Sequence, residues 1–425
     1  MKTHNNIFAL IAACLMVALF TAYFNPVMAG DDQFSVIRGK LVDQANKKPL
    51  MFANIYLDNT GIGTVSNGEG EFILKVPVDE QNHPIKVSYM GYRSQSFNFN
   101  DLSRDYNVIP MELEAINIKE VIVRTNDPIS LIRGVIKNIP ENYGRTPYVG
   151  TAFYRESAMQ NRQYVGVAEA ILSIYKSDYG NEMAEDRIKV FKGRKSQDVK
   201  RMDTLVFKLQ GGHYVATLLD LAKSPETFML EKFFHVYNYQ PVTTTNIEGR
   251  ETYVIDFAQR KEIDDAFYTG RLYIDVNTLA IKKAEFSISP YGLKFADQYL
   301  VKKRPIGYSV KTTSGHYMVD YREINGKWML NHVRYEVKFK VDKKRLFSFS
   351  KTYTSTVDLA MTDKDTVNVA KFKLRESVKP NDVFIDHVSS FYDEDFWGSY
   401  NIIKPEEPIE AAIERIGKRL QKYQK

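Results

Sequence analysis

The chain has 425 residues and is longer than a domain with a single hydrophobic core usually is. Its length therefore predicts two or three domains. Its 27 tyrosines and 25 phenylalanines fall mostly in alternating runs, a pattern that favours half-buried antiparallel strands over helices. The formal net charge is only +6, and acidic residues are interleaved with basic ones, so the composition argues against a nucleic-acid partner.

Residues 1–29 have the features of a secretory signal peptide. Lys2 precedes the apolar run 7–24, and Val27-Met28-Ala29 supplies a small-residue cleavage site. We expect cleavage after Ala29 and export, which lowers the formal charge from +6 to +5 because the leader holds one lysine and no acidic residue. Residues 11–14 (IAAC) resemble a bacterial lipobox, so lipidation at Cys14 is the alternative, and a retained N-terminal anchor is a third.

Cys14 is the single cysteine of the sequence, so a mature protein that begins after Ala29 forms neither a disulfide nor a thiolate metal site. No later apolar stretch approaches the roughly 20 residues that a membrane-spanning helix needs. We therefore expect a soluble or peripheral protein whose stability comes from its hydrophobic cores.

Residues 34–114 contain short alternating runs separated by turn signals, about seven in number, which is the spacing of a small β-sandwich. Within the glycine-rich stretch 61–72, Asn67-Gly68 predicts a tight hairpin, after which Phe72 and Val76 resume the alternation. The stretch lacks the glycine spacing of a dinucleotide-binding loop, so we interpret it as a chain reversal and not as a phosphate site.

Four segments of this region resemble the carboxypeptidase regulatory-like domain, in the version common in envelope proteins of Bacteroidota: 37–43 (IRGKLVD), 48–55 (KPLMFANI), 61–72 (GIGTVSNGEGEF) and 87–92 (VSYMGY). The resemblance implies a transthyretin-like sandwich with no catalytic residues of its own. Segment 118–123 (IKEVIV) is similar to the one that follows this domain in TonB-dependent outer-membrane receptors, but the remaining chain is too short for the barrel of such a receptor.

Residues 115–147 are predicted to be a connector that contains one helix, 128–139. Asp127-Pro128 offers an N-cap and a proline in the first turn. The apolar residues of the segment share one helical face: Ile129, Ile132, Val135, Ile136 and Ile139. Pro140 is expected to end the helix.

Residues 148–374 are predicted to form a larger antiparallel β-rich domain. Asn325-Gly326 predicts a hairpin that joins strands 316–324 and 327–341. In the second strand apolar residues alternate with charged ones, so one sheet face is either solvated or meets a charged partner. The predicted fold class is therefore mainly β: an N-terminal seven-stranded transthyretin-like sandwich followed by this domain, with a few helices.

The hairpin at residues 270–281 is similar to those of periplasmic lipoprotein-carrier folds, whose curved open sheet wraps a helix and can hold acyl chains. Segments 150–156 (GTAFYRE) and 396–401 (FWGSYN) resemble parts of uncharacterised Bacteroidota proteins that pair the sandwich with a second β-rich domain and have no assigned activity. Residues 375–425 form a C-terminal extension, in which an isoleucine stripe and a favourable charge order predict a helix at 405–422.

Motifs for catalysis and metal binding are absent from the sequence: it has no His-Glu-x-x-His helix, nucleophile elbow or phosphate loop. His332 and Glu336 share one strand face but lie more than about 10 Å apart along the strand, so we interpret His332 as a solvated residue. His213 and His316 each follow a glycine and are interpreted as turn residues. We expect no cofactor and no enzymatic activity. The alternative is a catalytic site formed by histidine, serine and aspartate side chains that meet only in the folded chain.

Two basic turns and one strand start are candidate surface contacts: Lys302, Lys303 and Arg304; Lys343, Lys344 and Arg345; and Tyr154, Arg155 and Glu156. The basic turns suit anionic lipid headgroups, each base near such a surface contributing about 1 kcal/mol. Lysines at strand ends also prevent edge-to-edge pairing, and this is the interpretation we favour for both turns. For the strand start we favour an outward-facing charge pair.

These features together predict a non-catalytic, exported envelope protein that acts as a binding or assembly module in the periplasm or at the outer membrane. Its partners would be envelope proteins or lipids. A periplasmic lipid or lipoprotein carrier is one alternative, and it predicts an apolar cavity against the curved sheet. An envelope hydrolase is another, and it predicts a cleft in which histidine, aspartate and serine converge.

Overall fold

The computed structural model describes residues 34–114, 127–181, 183–197, 212–301, 307–343, 350–379, 382, 384, 388–390, 396–407 and 409–414. The predicted signal peptide 1–29, with Cys14, and the segment 118–123 lie outside these residues.

Residues 34–114 form a seven-stranded sandwich, which confirms the predicted fold of this region. Its strands are β1 (Phe34–Asp43), β2 (Asn54–Leu57), β3 (Gly63–Val65), β4 (Glu71–Pro77), β5 (Ile85–Ser88), β6 (Gln95–Phe97) and β7 (Asn107–Met111). They form two sheets, β4-β1-β7 and β3-β2-β5-β6. Alternate side chains fill the space between the sheets, among them Ile37, Leu41, Ile55, Phe72 and Val87.

The predicted hairpin at Asn67-Gly68 is wrong. β3 pairs with β2 and β4 pairs with β1, so the chain crosses between the two sheets at this point instead of reversing within one. The side-chain oxygen of Asn67 accepts hydrogen bonds from the backbone N–H groups of Glu69 and Glu71, both at 2.9 Å. The positive φ falls on Gly70, at 75°, where a Cβ would also lie 2.7 Å from the Leu41 carbonyl oxygen.

A large, twelve-stranded sheet forms the rest of the β structure and confirms the predicted antiparallel β-rich domain. Its strands are β8 (Tyr148–Gln160), β9 (Gln163–Lys176), β10 (Arg187–Gln197), β11 (Tyr237–Tyr239), β12 (Thr243–Ile247), β13 (Arg250–Gln259), β14 (Tyr268–Asp275), β15 (Ile281–Ile288), β16 (Tyr308–Ile324), β17 (Lys327–Lys343), β18 (Lys351–Asp365) and β19 (Ser389–Ser390). The order is β11-β13-β14-β15-β16-β17-β18-β8-β9-β10-β19, with β12 paired to β13. Asn325 and Gly326, with φ of 50° and 74°, form the predicted hairpin between β16 and β17.

The longest helix is α1 (Pro128–Tyr143), and Asp127 caps it by accepting hydrogen bonds from the backbone of Ile129 and Ser130. The expectation that Pro140 ends this helix is wrong: the helix continues to Tyr143, and Gly144 at φ 88° closes it. Pro140 is tolerated because the burial of Ile139 and Tyr143 on either side of it fixes the last turn in the core. Two shorter helices are α2 (Gly212–Leu218) and α3 (Asp297–Leu300).

The large sheet has two faces with different coverings. The inner face carries mainly apolar side chains and packs against α1; Leu272, Phe286, Val319, Val333 and Leu359 lie on it. The outer face carries the alternating polar residues and is covered in part by the sandwich. The amide of Asn54 in the sandwich donates to the Asp320 carboxylate at 2.9 Å, and Phe52 lies 4.4 Å from the guanidinium of Arg334.

Residues 396–407, here called the C-terminal strap, lie across both the sandwich and the outer face. Trp397, Ile402 and Ile403 are buried with sandwich residue Val65 and sheet residue Phe153. After the strap the chain is helical at 409–414, where Ile409 and Ile413 pack on Val167 of β9. Residues 415–422 of the predicted helix, with Ile416 and Leu420, lie outside the described residues.

Candidate functional site

Most of the basic residues proposed from the sequence fall outside the described part of the chain. Lys302, Lys303, Arg304, Lys344 and Arg345 all belong to this group. Lys343 is the last residue of β17, and its ammonium lies 5.9 Å from the centre of the Tyr308 ring. A contact between these turns and lipid headgroups therefore stays a prediction.

Tyr154, Arg155 and Glu156 are not surface residues, so their interpretation as an outward charge pair is wrong. Their exposed fractions are 0 %, 3 % and 6 %. Because they are consecutive on β8, they point to alternate faces: Tyr154 donates its hydroxyl to Glu156 at 2.9 Å on the inner side, whereas Arg155 faces outward. The sandwich and the strap cover the outer side, which is why Arg155 is buried as well.

Arg155 belongs to a buried ion network on the outer face. Its Nε donates to one carboxylate oxygen of Glu169 at 2.7 Å, and the Nε of Arg194 donates to the other at 2.8 Å. A second donor of Arg155, Nη2, reaches the Ile403 carbonyl of the strap at 2.7 Å. Burial opposes ionisation of Glu169, but the two guanidinium groups outweigh it and hold the pKa of this carboxyl below its usual value.

His332 and His316 both differ from their sequence interpretations. His332 is only 1 % exposed: it lies under the Phe52 ring, with ring centres 5.8 Å apart, and contacts Asp358 at 3.3 Å. It faces outward as expected, but the sandwich covers it. His316 lies within β16, not in a turn, and its Nδ1 is 2.7 Å from the hydroxyl of Ser287 on β15.

A trough of about 670 Å³ surrounds this Ser287–His316 pair on the outer face. Its charges are already paired: Arg271 binds Asp256 at 2.7 Å and Lys283 binds Glu285 at 2.7 Å. Among the described residues, no carboxylate bonds to the second nitrogen of His316. The backbone of β15 and β16 is engaged in ladder pairing, so it offers no donors for an oxyanion. The pair has the geometry of a cross-strand polar contact.

A second cavity, of about 360 Å³, opens at the inner face beside α3, next to the start of β14, the end of β15 and the middle of β16. We call it the inner pocket. Strand and α3 residues supply one side of it: Tyr268, Ile288, Ala296, Tyr299, Leu300 and Tyr317. Two loops supply the other: Glu226, Thr227, Phe233, Asp265, Ala266 and Phe267.

Aromatic rings fix one another around the inner pocket. Tyr317 stacks on Phe286 with ring centres 5.1 Å apart and meets the edge of Tyr268 at 5.8 Å. On the loop side Phe233 and Phe267 lie 5.9 Å apart. Such ring contacts contribute about 0.5–1.5 kcal/mol each beyond area burial, so the pocket walls are held in place by their own packing.

Polar contacts hold the loop that contains Asp265 and Phe267. The side-chain amide of Gln259 donates to the carbonyls of Ile263 and Asp265 at 2.9 and 2.8 Å. The Asp265 carboxylate in turn accepts from the hydroxyl of Tyr299 at 2.7 Å. The shape of the pocket is therefore set by hydrogen bonds as well as by ring packing.

Glu226 is the exception to this pairing. Its carboxylate accepts one long hydrogen bond, 3.4 Å, from the backbone N–H of Thr227, and no described cation pairs with it. Burial raises the pKa of Glu226 above its usual value. The pKa of the Tyr268 hydroxyl is raised mainly by burial and secondly by the negative charge of Glu226.

The inner pocket was not foreseen from the sequence. The alternation that places Tyr317 on the inner face was visible, since this residue falls within the predicted strand 316–324, whereas Tyr268 lies two residues before the predicted hairpin at 270–281. The two loops that complete the pocket, around 226 and 265, carry no motif, and their position depends on long-range contacts. The described residues contain no group of histidine, cysteine, aspartate and glutamate side chains placed to hold a metal ion. In the same part of the chain, no helix has the length and apolarity to cross a membrane.

Residues 37–123 match the family model of the CarboxypepD_reg-like domain. This match confirms the resemblance of the N-terminal segments, and the domain coincides with the sandwich that docks on the outer face. No curated protein matches the chain.

The solved structures that are similar to the chain include the following two. A DUF1329 family protein from Desulfovibrio piger is 10 % identical, with a TM-score of 0.24, over 57 % of this chain and 95 % of that one. A LolA superfamily protein from Nitrosomonas europaea is 12 % identical, with a TM-score of 0.21, over 58 % of this chain and 97 % of that one.

Proposed function

We propose that the chain is a non-catalytic binding module of the bacterial envelope that captures the apolar group of a small ligand in its inner pocket. The observation that carries the proposal is the inner pocket itself: an aromatic-walled cavity of about 360 Å³ on the inner face of the large sheet. Ligand pockets commonly measure roughly 300–1,000 Å³ and have mostly apolar walls with a few polar groups.

The rigidity of the scaffold supports this proposal. The CarboxypepD_reg-like domain and the strap cover part of the outer face and are joined to it by hydrogen bonds of Asn54, Arg322 and Arg155, so this part of the sheet is held in place. A wall that is already fixed loses little conformational entropy when a ligand binds. In this arrangement the sandwich serves as an adaptor and the inner pocket as the binding surface.

The export of the protein and its partners belong to the same proposal. The signal-like leader directs the chain to the periplasm or the inner side of the outer membrane, where it meets envelope proteins or lipids. A lipid carrier is the closest alternative. The small volume of the inner pocket favours a single short chain or ring over several long acyl chains.

Binding of N-phenyl-1-naphthylamine, a neutral apolar probe whose fluorescence rises in apolar surroundings, tests the proposal. Ala266 lines the inner pocket, so Ala266→Phe fills it, whereas Ala258→Phe places the same ring in the outer trough. We expect the wild type and Ala258→Phe to bind the probe and Ala266→Phe to lose at least about tenfold in affinity, equivalent to about 1.4 kcal/mol.

Circular dichroism of each variant shows that it is folded. The absence of probe binding to the wild type, or equal binding by Ala266→Phe, contradicts the proposal. Loss of binding in Ala258→Phe alone moves the site to the trough and contradicts it as well.

A further inference from the structure

Resting on the proposed function, we infer that the ligand of the inner pocket carries a positively charged amine joined to its apolar part. Glu226 supplies the first ground. It is a half-buried carboxylate that lines the cavity, and no described side chain neutralises it. Leaving a carboxylate partly desolvated without a partner is costly, and a cationic group of the ligand removes that cost.

Two buried carboxylates elsewhere in the chain, Glu169 and Asp220, provide a contrast. Glu169 lies between Arg155 and Arg194 at 2.7 and 2.8 Å. Asp220 binds Lys176 at 2.7 Å and also accepts from two tyrosine hydroxyls. Each has a full set of partners within the chain, whereas the carboxylate of Glu226 is left to meet whatever enters the pocket.

The composition of the pocket wall supplies the second ground. The described wall contains two carboxylates, Glu226 and Asp265, and neither lysine nor arginine. It also contains the rings of Tyr268 and Tyr317, whose faces are electron-rich and attract ammonium groups. An anionic ligand such as a fatty acid would meet like charge, and a neutral one would leave Glu226 without a partner.

The test compares three octyl compounds at concentrations below micelle formation: octyltrimethylammonium, 1-octanol and octanoate. Isothermal titration calorimetry of the whole chain measures each affinity. We expect octyltrimethylammonium to bind roughly tenfold more tightly than octanol, because aromatic faces and a carboxylate attract a cation and raise its affinity by a factor of this order. Octanoate should bind most weakly.

Glu226→Gln keeps the size of the side chain and removes its charge. We expect this variant to lose the tenfold preference for the cation while it binds octanol as the wild type does. Glu262→Gln is the matched control. Glu262 is exposed and lies in the neighbouring loop, and its substitution makes the same change in net charge. It should leave all three affinities unchanged.

The outcomes separate the two proposals. Equal affinity for the three compounds, or tightest binding of octanoate, overturns the amine inference and leaves the proposed function standing. Unchanged cation preference in Glu226→Gln also overturns it. Failure of every octyl compound to bind the wild type contradicts the proposed function instead.

Discussion

Glu169 and Glu226 are two carboxylates of one domain in opposite electrostatic settings. Glu169 is enclosed by Arg155 and Arg194, which hold its pKa below the ordinary value despite burial. Glu226 has no such partner among the described residues, and burial raises its pKa. The same substitution, glutamate to glutamine, therefore has opposite consequences at the two positions.

Glu169→Gln is expected to lower the free energy of unfolding by about 3 kcal/mol at pH 7, because it leaves two arginines at a buried site without their anion. The folded-state pKa of Glu169 lies below the unfolded value of 4.5, so its stabilising contribution is present above pH 4.5 and is lost as the pH falls through the folded-state pKa. Urea denaturation of wild type and variant from pH 7 down to pH 3 measures this. A difference that does not shrink in acid contradicts the network.

Glu226→Gln is expected to leave the ligand-free chain more stable relative to the wild type at pH 8 than at pH 4, which lies below the unfolded-state pKa. The folded-state pKa of Glu226 lies above the unfolded value of 4.5, so the wild type loses stability as the pH rises through the folded-state pKa, and the glutamine variant does not. The same urea series, with Glu262→Gln as control, measures the effect. A variant that is clearly less stable at pH 8 shows that Glu226 has a partner.

At the scale of single residues, the sequence predicted which way side chains face better than what they meet. The alternation along β17 correctly placed Arg334 and Glu336 on one face. It could not show that Arg155 and His332 are buried, because their coverings come from residues about 250 or more positions away in the chain. Glu226 has no signal in the sequence that distinguishes it from an exposed glutamate.

The C-terminal strap is the element that joins the sandwich to the sheet. Asn401 makes two hydrogen bonds to the backbone of Lys75, accepting from its N–H at 2.6 Å and donating to its carbonyl at 3.0 Å. The hydroxyl of Thr64 donates to the Ile402 carbonyl at 2.8 Å. These hydrogen bonds attach the strap to strands β3 and β4 of the sandwich.

Asn401→Ala is expected to lower the free energy of unfolding by about 1–2 kcal/mol, because it removes both hydrogen bonds and leaves backbone groups of β4 unpaired. Hydrogen exchange at the Lys75 amide should accelerate by at least about tenfold, equivalent to about 1.4 kcal/mol of local opening. Asn82→Ala, at an exposed position with no such contact, is the control. Unchanged exchange at Lys75 contradicts the role given to the strap.

Among the elements, those with strong local signals were predicted and those shaped by their surroundings were not. The hairpin at Asn325-Gly326 needs a positive φ at two adjacent residues, and few residue pairs adopt this conformation easily, so the pair identifies the turn. Asp127-Pro128 likewise gave the start of α1. The end of α1 depended on the burial of Tyr143, and the path of the chain at Asn67-Gly68 depended on which sheet each neighbouring strand joined. Neither property can be read from the local sequence.

At the scale of the whole molecule, the sandwich and the large sheet form one packed unit. The outer face was expected to be solvated or to meet a charged partner, and where it is covered the partner is the sandwich of the same chain. Asp320 accepts from the amides of Asn54 and Asn331 at 2.9 and 3.0 Å, and desolvation raises its pKa. Arg322 lies 4.5 Å from the Tyr56 ring, and burial lowers the pKa of its guanidinium to about 10.

Asn54→Ala is expected to destabilise the chain by about 2 kcal/mol, because it removes a donor from Asp320 and an acceptor from Asn331 at the interface. Coupling between the two parts should weaken, so that calorimetry resolves a sandwich transition ahead of the main one. Asn82→Ala again serves as the control. A single transition at the wild-type temperature would contradict a shared interface.

Native mass spectrometry of the chain isolated gently from its own envelope fraction tests whether the inner pocket holds a ligand. Wild type, Ala266→Phe and Ala258→Phe are compared under the same conditions. We expect a small molecule that contains a basic amine to be retained by the wild type and by Ala258→Phe and to be absent from Ala266→Phe. A wild-type chain that carries no small molecule, or a molecule that Ala266→Phe retains equally, contradicts the claim.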